Sequence, residues 1–322
     1  MNRQQSAPPN FEGRPLVRPD DEVVDQGLGF DVGTLMNRRR MLRTLGFGVA
    51  TIGLAACGAN AASTASSSAT TAAGSTSGST ATTATGEIPD ETAGPYPGDG
   101  SNGPDVLEQS GIVRSDLRSS FGASSGTAEG VPIELELTIT DIANGGVPFA
   151  GAAVYVWHCD REGNYSMYSE GVEDQNYLRG VQVADANGIV KYSSIFPACY
   201  SGRWPHIHFE VYPDQASITD AANVIATSQL AFPEATCNEV FAQAGYEASV
   251  KNLSEVTLQS DNVFSDDAGA SQLAAVAGDV TNGYSVTLAV GVDTSTTPTG
   301  GGGAPGGGGP GGGGQNGTPP SR

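Results

Sequence analysis

Positive charge is scarce in this 322-residue chain: 15 Lys and Arg stand against 35 Asp and Glu, a formal net charge of −20. From Gly58 onward the imbalance sharpens to eight basic against 29 acidic side chains, or −21. Such a chain repels polyanions, which excludes nucleic acid and anionic membrane surfaces as partners. Any help in attracting an anion must then be local. Cysteine is also sparse, four in all, and no two are spaced as C-x-x-C, which argues against a thiolate zinc site. No run of about 20 apolar residues, the length of a membrane-spanning helix, is present; the apolar stretch 45–56 is too short. There is no internal repeat. Histidine occurs three times, as His158, His206 and His208.

Composition divides the chain into four parts. Residues 59–86 are almost entirely Ala, Ser, Thr and Gly and cannot bury enough apolar surface to fold. Residues 293–322 form a Thr, Gly and Pro tail with the same deficiency. Residues 1–57 read as an export signal, since Arg38-Arg39-Arg40-Met41-Leu42-Arg43 is a twin-arginine pattern followed by the short apolar stretch. That stretch ends in Leu54-Ala55-Ala56-Cys57-Gly58, which resembles a bacterial lipobox with Cys57 as the lipidated residue. An ordinary cleavable signal with a chance cysteine is the alternative. Either form implies an extracytoplasmic protein whose contact with a membrane, if any, is a lipid anchor. Residues 58–86 are then a linker and 87–292 the one segment able to build a sizeable core.

That segment is patterned as strands. Residues 133–139 alternate apolar and polar, and Asn144-Gly145-Gly146 supplies a turn. Further strands are expected over 152–159, 181–183, 189–196, 206–212 and 227–232, with a turn at Asp185-Ala186-Asn187-Gly188. Residues 236–253 are the best helix candidate, and a last hairpin turns at Asn282-Gly283. Many short strands and little helix predict an all-β, antiparallel sandwich with one or two short helices.

One strand carries chemistry. In an extended chain His206 and His208 point to one face while Ile207 and Phe209 point to the other. Two imidazoles on one face can close on a metal ion, although the same pattern alone also fits a half-buried strand with two satisfied polar residues. The surroundings resemble the intradiol ring-cleavage dioxygenases, non-haem iron(III) enzymes that open catechols between the two hydroxyl-bearing carbons. Glu91-Thr92-Ala93-Gly94-Pro95-Tyr96 is similar to the family segment at the site mouth, and Trp157 to Tyr165 to its W…G-x-Y strand and loop. Phe196-Pro197-Ala198-Cys199-Tyr200, Arg203-Trp204-Pro205-His206-Ile207-His208-Phe209 and Thr227-Ser228-Gln229-Leu230 are similar to three more family pieces, in family order.

The resemblance implies a ligand set of Tyr165, Tyr200, His206 and His208 around iron(III), with small aromatic diol and O2 as substrates. Two phenolates and two neutral imidazoles suit a hard trivalent cation, and a phenol of ordinary pKa near ~10 binds as an anion at neutral pH only through the metal's charge. It further implies that Tyr200 is the ligand an incoming catechol displaces, that Arg203 with Gln229 stabilises charge building on the ring, and that the product is a muconate-type diacid. Gly94, Pro95, Tyr96 and Trp157 are then substrate-binding. The helical N-terminal dimerisation domain of the catechol-specific branch is absent, and the stretch between Tyr200 and His206 is short, so neither the particular catechol nor the number of subunits follows. Two other readings remain: a non-catalytic metal-containing surface module of the same fold, and a copper or zinc site using His158, His206 and His208. Outside the cytoplasm an odd number of cysteines after Cys57 implies one disulfide and one free thiol. Cys159 and Cys199 each lie near a tyrosine assigned to the site and are the preferred pair, with Cys199–Cys237 the alternative.

Overall fold

The computed structural model describes residues 10–11, 14–15, 84 and 86–298. The twin-arginine pattern and Cys57 lie outside the described residues. The chain divides into two compact units, Met1–Ser77 and Gly78–Arg322. In the first, β1 (Asn10–Phe11) pairs antiparallel with β2 (Arg14–Pro15). No helix among the described residues is long and apolar enough to cross a membrane.

The second unit is an all-β sandwich. One sheet contains β3 (Pro132–Asp141), β4 (Val147–Pro148), β7 (Ile189–Ile195), β10 (Ala275–Asp279) and β11 (Gly283–Val292). The other runs β6 (Arg179–Val183), β5 (Ala153–Trp157), β8 (His206–Tyr212) and β9 (Ala226–Ala231), antiparallel throughout. The first sheet is mixed rather than wholly antiparallel, because β11 pairs with β3 in parallel. Alternation explains the packing. Ile133, Leu135, Leu137 and Ile139 of β3 meet Val154 and Val156 of β5 and Ile207, Phe209 and Val211 of β8 in one shared core. Each of these buried side chains contributes roughly 1.5–3 kcal/mol relative to exposure.

The expected single helix over 236–253 is two helices, α1 (Glu234–Phe241) and α2 (Glu247–Ser254). Gly245 separates them at φ +92°, in the left-handed region, where a helix cannot continue. A Cβ there would also meet the Arg161 side chain at 2.5 Å. The expected hairpin at Asn282-Gly283 is present between β10 and β11, and Gly283 takes φ +87° there.

The opposite face of the four-stranded sheet is covered by loops. Ala153, Tyr155 and Trp157 of β5, Val181 of β6 and Tyr212 of β8 form a second cluster with Ala93, Val106, Leu107, Ile112, Tyr165 and Ala198 from the covering segments. The histidines of β8 lie on this covered face, because their neighbours Ile207 and Phe209 are committed to the shared core.

Candidate active site

Strand register sets one row of the site. Arg179 pairs with Trp157, Trp157 with His208, and His208 with Gln229, so four side chains line up across β6, β5, β8 and β9. The Trp157 ring stacks on His208, with centroids 4.9 Å apart and planes within 7°. Trp157 is fully buried and backs the imidazole. On the mouth side, Gly94 is held at φ +72°, and a Cβ there would meet His208 Cε1 at 3.3 Å. His208 is therefore gripped between an indole and a glycine backbone.

His206 is oriented by its own chain. Its Nδ1–H donates to the Trp204 carbonyl, which leaves the Nε2 lone pair free. That nitrogen lies 3.2 Å from Tyr200 Oη and 3.1 Å from His208 Nε2. The Tyr165 ring meets the Tyr200 ring edge-on at 6.0 Å and the His208 ring at 6.2 Å. Tyr165 Oη is buried without any hydrogen-bond partner, as is His208 Nδ1. A phenol rarely gives up water for nothing, since an unsatisfied buried hydroxyl costs about 1–3 kcal/mol.

Electrostatics sharpen the picture. Burial, and then the Arg203 charge, push His206 down to about 3, and burial with His206 and Arg203 holds His208 well below the usual imidazole range. Both rings are neutral donors at physiological pH. Burial, and then the neighbouring Tyr200, hold Tyr165 well above the usual phenol range. Tyr200 is pushed up to about 12 by burial, with the Arg203 charge opposing. Two protonated phenols and two neutral imidazoles thus converge on one spot, and ionising the phenols there requires a nearby cation. The donor set of two phenol oxygens and two imidazole nitrogens fits a hard trivalent metal, and the orphaned Tyr165 hydroxyl is explained if such a metal completes it.

Arg203 closes one side. Its Nη2 donates to Gln229 Oε1 at 2.6 Å, and Gln229 Nε2 donates to the Thr92 carbonyl at 2.9 Å, which ties the arginine to the mouth segment. Arg203 Nε donates at 3.0 Å to Asp261, whose carboxylate is fully buried. Burial opposes the Arg203 charge, yet Tyr200 and Asp261 raise its pKa.

The Tyr96 ring packs at a tilt against Tyr165 at 5.0 Å and Tyr168 at 5.2 Å, while Pro95 is exposed. Two residues that sequence reasoning missed organise this neighbourhood. Asp261 is one. The other is buried Arg179, which donates to the Tyr96 and Pro97 carbonyls, the Tyr155 hydroxyl, and Ser166 beside Tyr165, so it clasps the mouth segment to the Tyr165 loop.

Two expectations are corrected. The disulfide is not formed: Cys159, Cys199 and Cys237 are all buried free thiols. Cys199 packs in the core between the sheets and donates to the Arg203 carbonyl, whereas Cys159 packs in the outer cluster and donates to Ala198, so neither thiol is turned to the other. The three-histidine site is not assembled either. His158 Nδ1–H donates to the Cys159 carbonyl and its Nε2 accepts from Ser194 at 2.8 Å, so both nitrogens are engaged. Among the described residues no group of three His, Cys, Asp or Glu side chains could hold a metal ion.

Comparison with known proteins matches residues 102–211 to the family described as Dioxygenase, a span containing Tyr165, Tyr200, Arg203, His206 and His208 and ending before Gln229. The chain is 42% identical over 55 residues to a chlorocatechol 1,2-dioxygenase of Rhodococcus opacus, a stretch that is 17% of this chain and 21% of that protein. It thus spans about a fifth of that relative's length. Among solved structures, an intradiol ring-cleavage dioxygenase from Tetranychus urticae shares the fold with a TM-score of 0.53 at 22% identity, over 66% of this chain and 98% of that one. The family match covers about a third of the chain, and the solved structure shares its fold.

Proposed function

We propose that this protein is an extracytoplasmic dioxygenase that opens a catechol-type aromatic between its two hydroxyl-bearing carbons with O2, giving a muconate-type diacid. The observation that carries the reading is the approach of His206 Nε2 to Tyr200 Oη at 3.2 Å and to His208 Nε2 at 3.1 Å, with the orphaned hydroxyl of Tyr165 in the same cluster of rings. Non-haem iron(III) held by these four residues would supply the positive charge that lets phenols bind as anions and that activates the bound diol toward O2. The protein's own groups do the rest. Tyr200 is the partly exposed phenol of the two, so it is the one placed to take the proton of an incoming diol. Tyr165, buried among aromatic rings, stays in place. Arg203, steadied by Gln229, faces the negative charge that grows on the ring as oxygen adds. Gly94, Pro95 and Tyr96 form the mouth.

The purified protein is expected to bind one iron per chain, to show the burgundy band of tyrosinate-to-iron(III) charge transfer, and to convert at least one of a panel of catechols to a muconate-type product. A protein that holds stoichiometric iron yet yields no such product from any catechol would instead be a metal-containing binding module. Export by the twin-arginine route and lipidation at Cys57 belong to the same reading, supported by the arginine triplet and the Leu54–Gly58 motif. Cys57→Ser should move the protein from the membrane fraction to the soluble one. A wild type already wholly soluble would end the lipoprotein assignment.

A further inference from the structure

We propose that Asp261 is the positioning residue of this site, setting Arg203 and His206 together through one buried carboxylate; the inference rests on the ring-cleavage reading above. Asp261 comes 58 residues after Arg203, in the loop beyond α2, and is fully buried. Four N–H groups meet it. Its Oδ1 accepts from the backbone of Val263 at 2.8 Å and Phe264 at 3.1 Å, which fixes the carboxylate in its own turn. Its Oδ2 accepts from Arg203 Nε at 3.0 Å and from the Trp204 backbone at 2.7 Å.

The two Oδ2 contacts reach the site by separate routes. Through Nε, the carboxylate fixes one edge of the guanidinium while Gln229 holds Nη2, so the plane of Arg203 is set at two points. Nη1 has no protein partner among the described residues and is left for what the pocket receives. Through the Trp204 N–H, the carboxylate holds the residue whose carbonyl, in the following peptide, accepts from His206 Nδ1–H, and so steadies the direction of the His206 Nε2 lone pair. Charge arithmetic adds a second role. An unpaired buried guanidinium would bind the diol anion more tightly before reaction as well as during it. Pairing with Asp261 tempers that ground-state attraction, so Arg203 acts mainly on charge that appears later.

Asp261→Asn is nearly isosteric but turns one acceptor oxygen into a donor, which at the Oδ2 position opposes both Arg203 Nε–H and the Trp204 N–H and at the Oδ1 position opposes the Val263 and Phe264 N–H groups. With iron-loaded protein, it is expected to lower kcat by about ten- to hundredfold, the range for losing a group that orients a ligand. KM should fall, by less than about threefold, because the unpaired guanidinium holds the diol anion more tightly, and the charge-transfer band should shift. Placed on Arg203→Gln, the same change should lose the part of its effect that passes through the arginine and add less than about threefold from the His206 route, while the band shift, which reports His206, should persist. Independent multiplication of the two losses, or a loss matching only the unfolded fraction, would overturn the proposal. A second arm needs no activity. In metal-free protein, the Arg203 Nε–H nitrogen resonance, identified by its loss in Arg203→Lys, should move in Asp261→Asn; an unmoved resonance means that Asp261 does not hold the arginine. Failure of the wild type to cleave any catechol would sink the functional reading while this arm still judges Asp261.

Discussion

Tyr165→Phe is expected to change stability and metal affinity in opposite directions. In the metal-free protein the Tyr165 hydroxyl is buried with no hydrogen-bond partner, among the rings of Tyr96, Tyr200 and His208. Deleting it removes a desolvated polar group and leaves the aromatic contacts in place, so the metal-free variant should be more stable by about 1 kcal/mol or more. The same deletion removes an anionic oxygen donor. Iron affinity should then fall by more than the roughly hundredfold that loss of an outer-sphere partner causes, and the burgundy band should vanish with it. Denaturant titration of the metal-free forms and competition with a chelator for the loaded forms measure the two halves separately. A Phe variant that is less stable without metal and binds iron as tightly as wild type would show that Tyr165 is packing alone. Few structural tyrosines give this crossing of signs, because a satisfied hydroxyl leaves a hole in a hydrogen-bond network when it goes.

What could be read in the sequence follows from how local each signal is. The order of β8 was plain because alternation in His206–Tyr212 is a two-residue period, and the same period put both histidines on one face. The β10–β11 hairpin was plain because Asn282-Gly283 is a local turn signal. The parallel partnership of β11 with β3 was not, since pairing between strands about 150 residues apart leaves no mark in either strand's own pattern. Gly245 divides one expected helix into two, and a lone glycine within a helical pattern does not say whether it is tolerated or terminal. The tyrosines were legible only through their motifs, for nothing in periodicity separates Tyr165 from Tyr177 or Tyr192. Asp261 was invisible for a simpler reason. It is one of many acidic residues in an acidic chain, and only the fold brings it under Arg203. The thiols failed as a disulfide because neighbourhood in sequence to two site tyrosines says nothing about which layer each sulfur packs in.

Arg203→Ala is expected to damage the fold before it reports on the chemistry, and that is a consequence of Asp261. Removing one partner of a buried pair leaves the other charge uncompensated, at a cost of about 3–5 kcal/mol. Here the three backbone N–H groups of Trp204, Val263 and Phe264 still solvate the carboxylate, so the lower end of that range applies. Arg203→Gln is the cleaner probe, since glutamine can still donate to Asp261 while carrying no charge. Its iron content and resting colour should stay near wild type, because the Arg203 side chain hydrogen-bonds Asp261 and Gln229 and none of the four expected metal-donor atoms. Catechol binding under nitrogen should change little. The oxygen-dependent step, followed by stopped flow after anaerobic binding, should slow by roughly two orders of magnitude, the usual scale for losing one stabiliser of developing charge. Slower diol binding with an unchanged oxygen step would place Arg203 in substrate capture instead. Unchanged kinetics in both steps would leave the growing ring charge to some group other than Arg203, which Gln229 holds in the row beside His208.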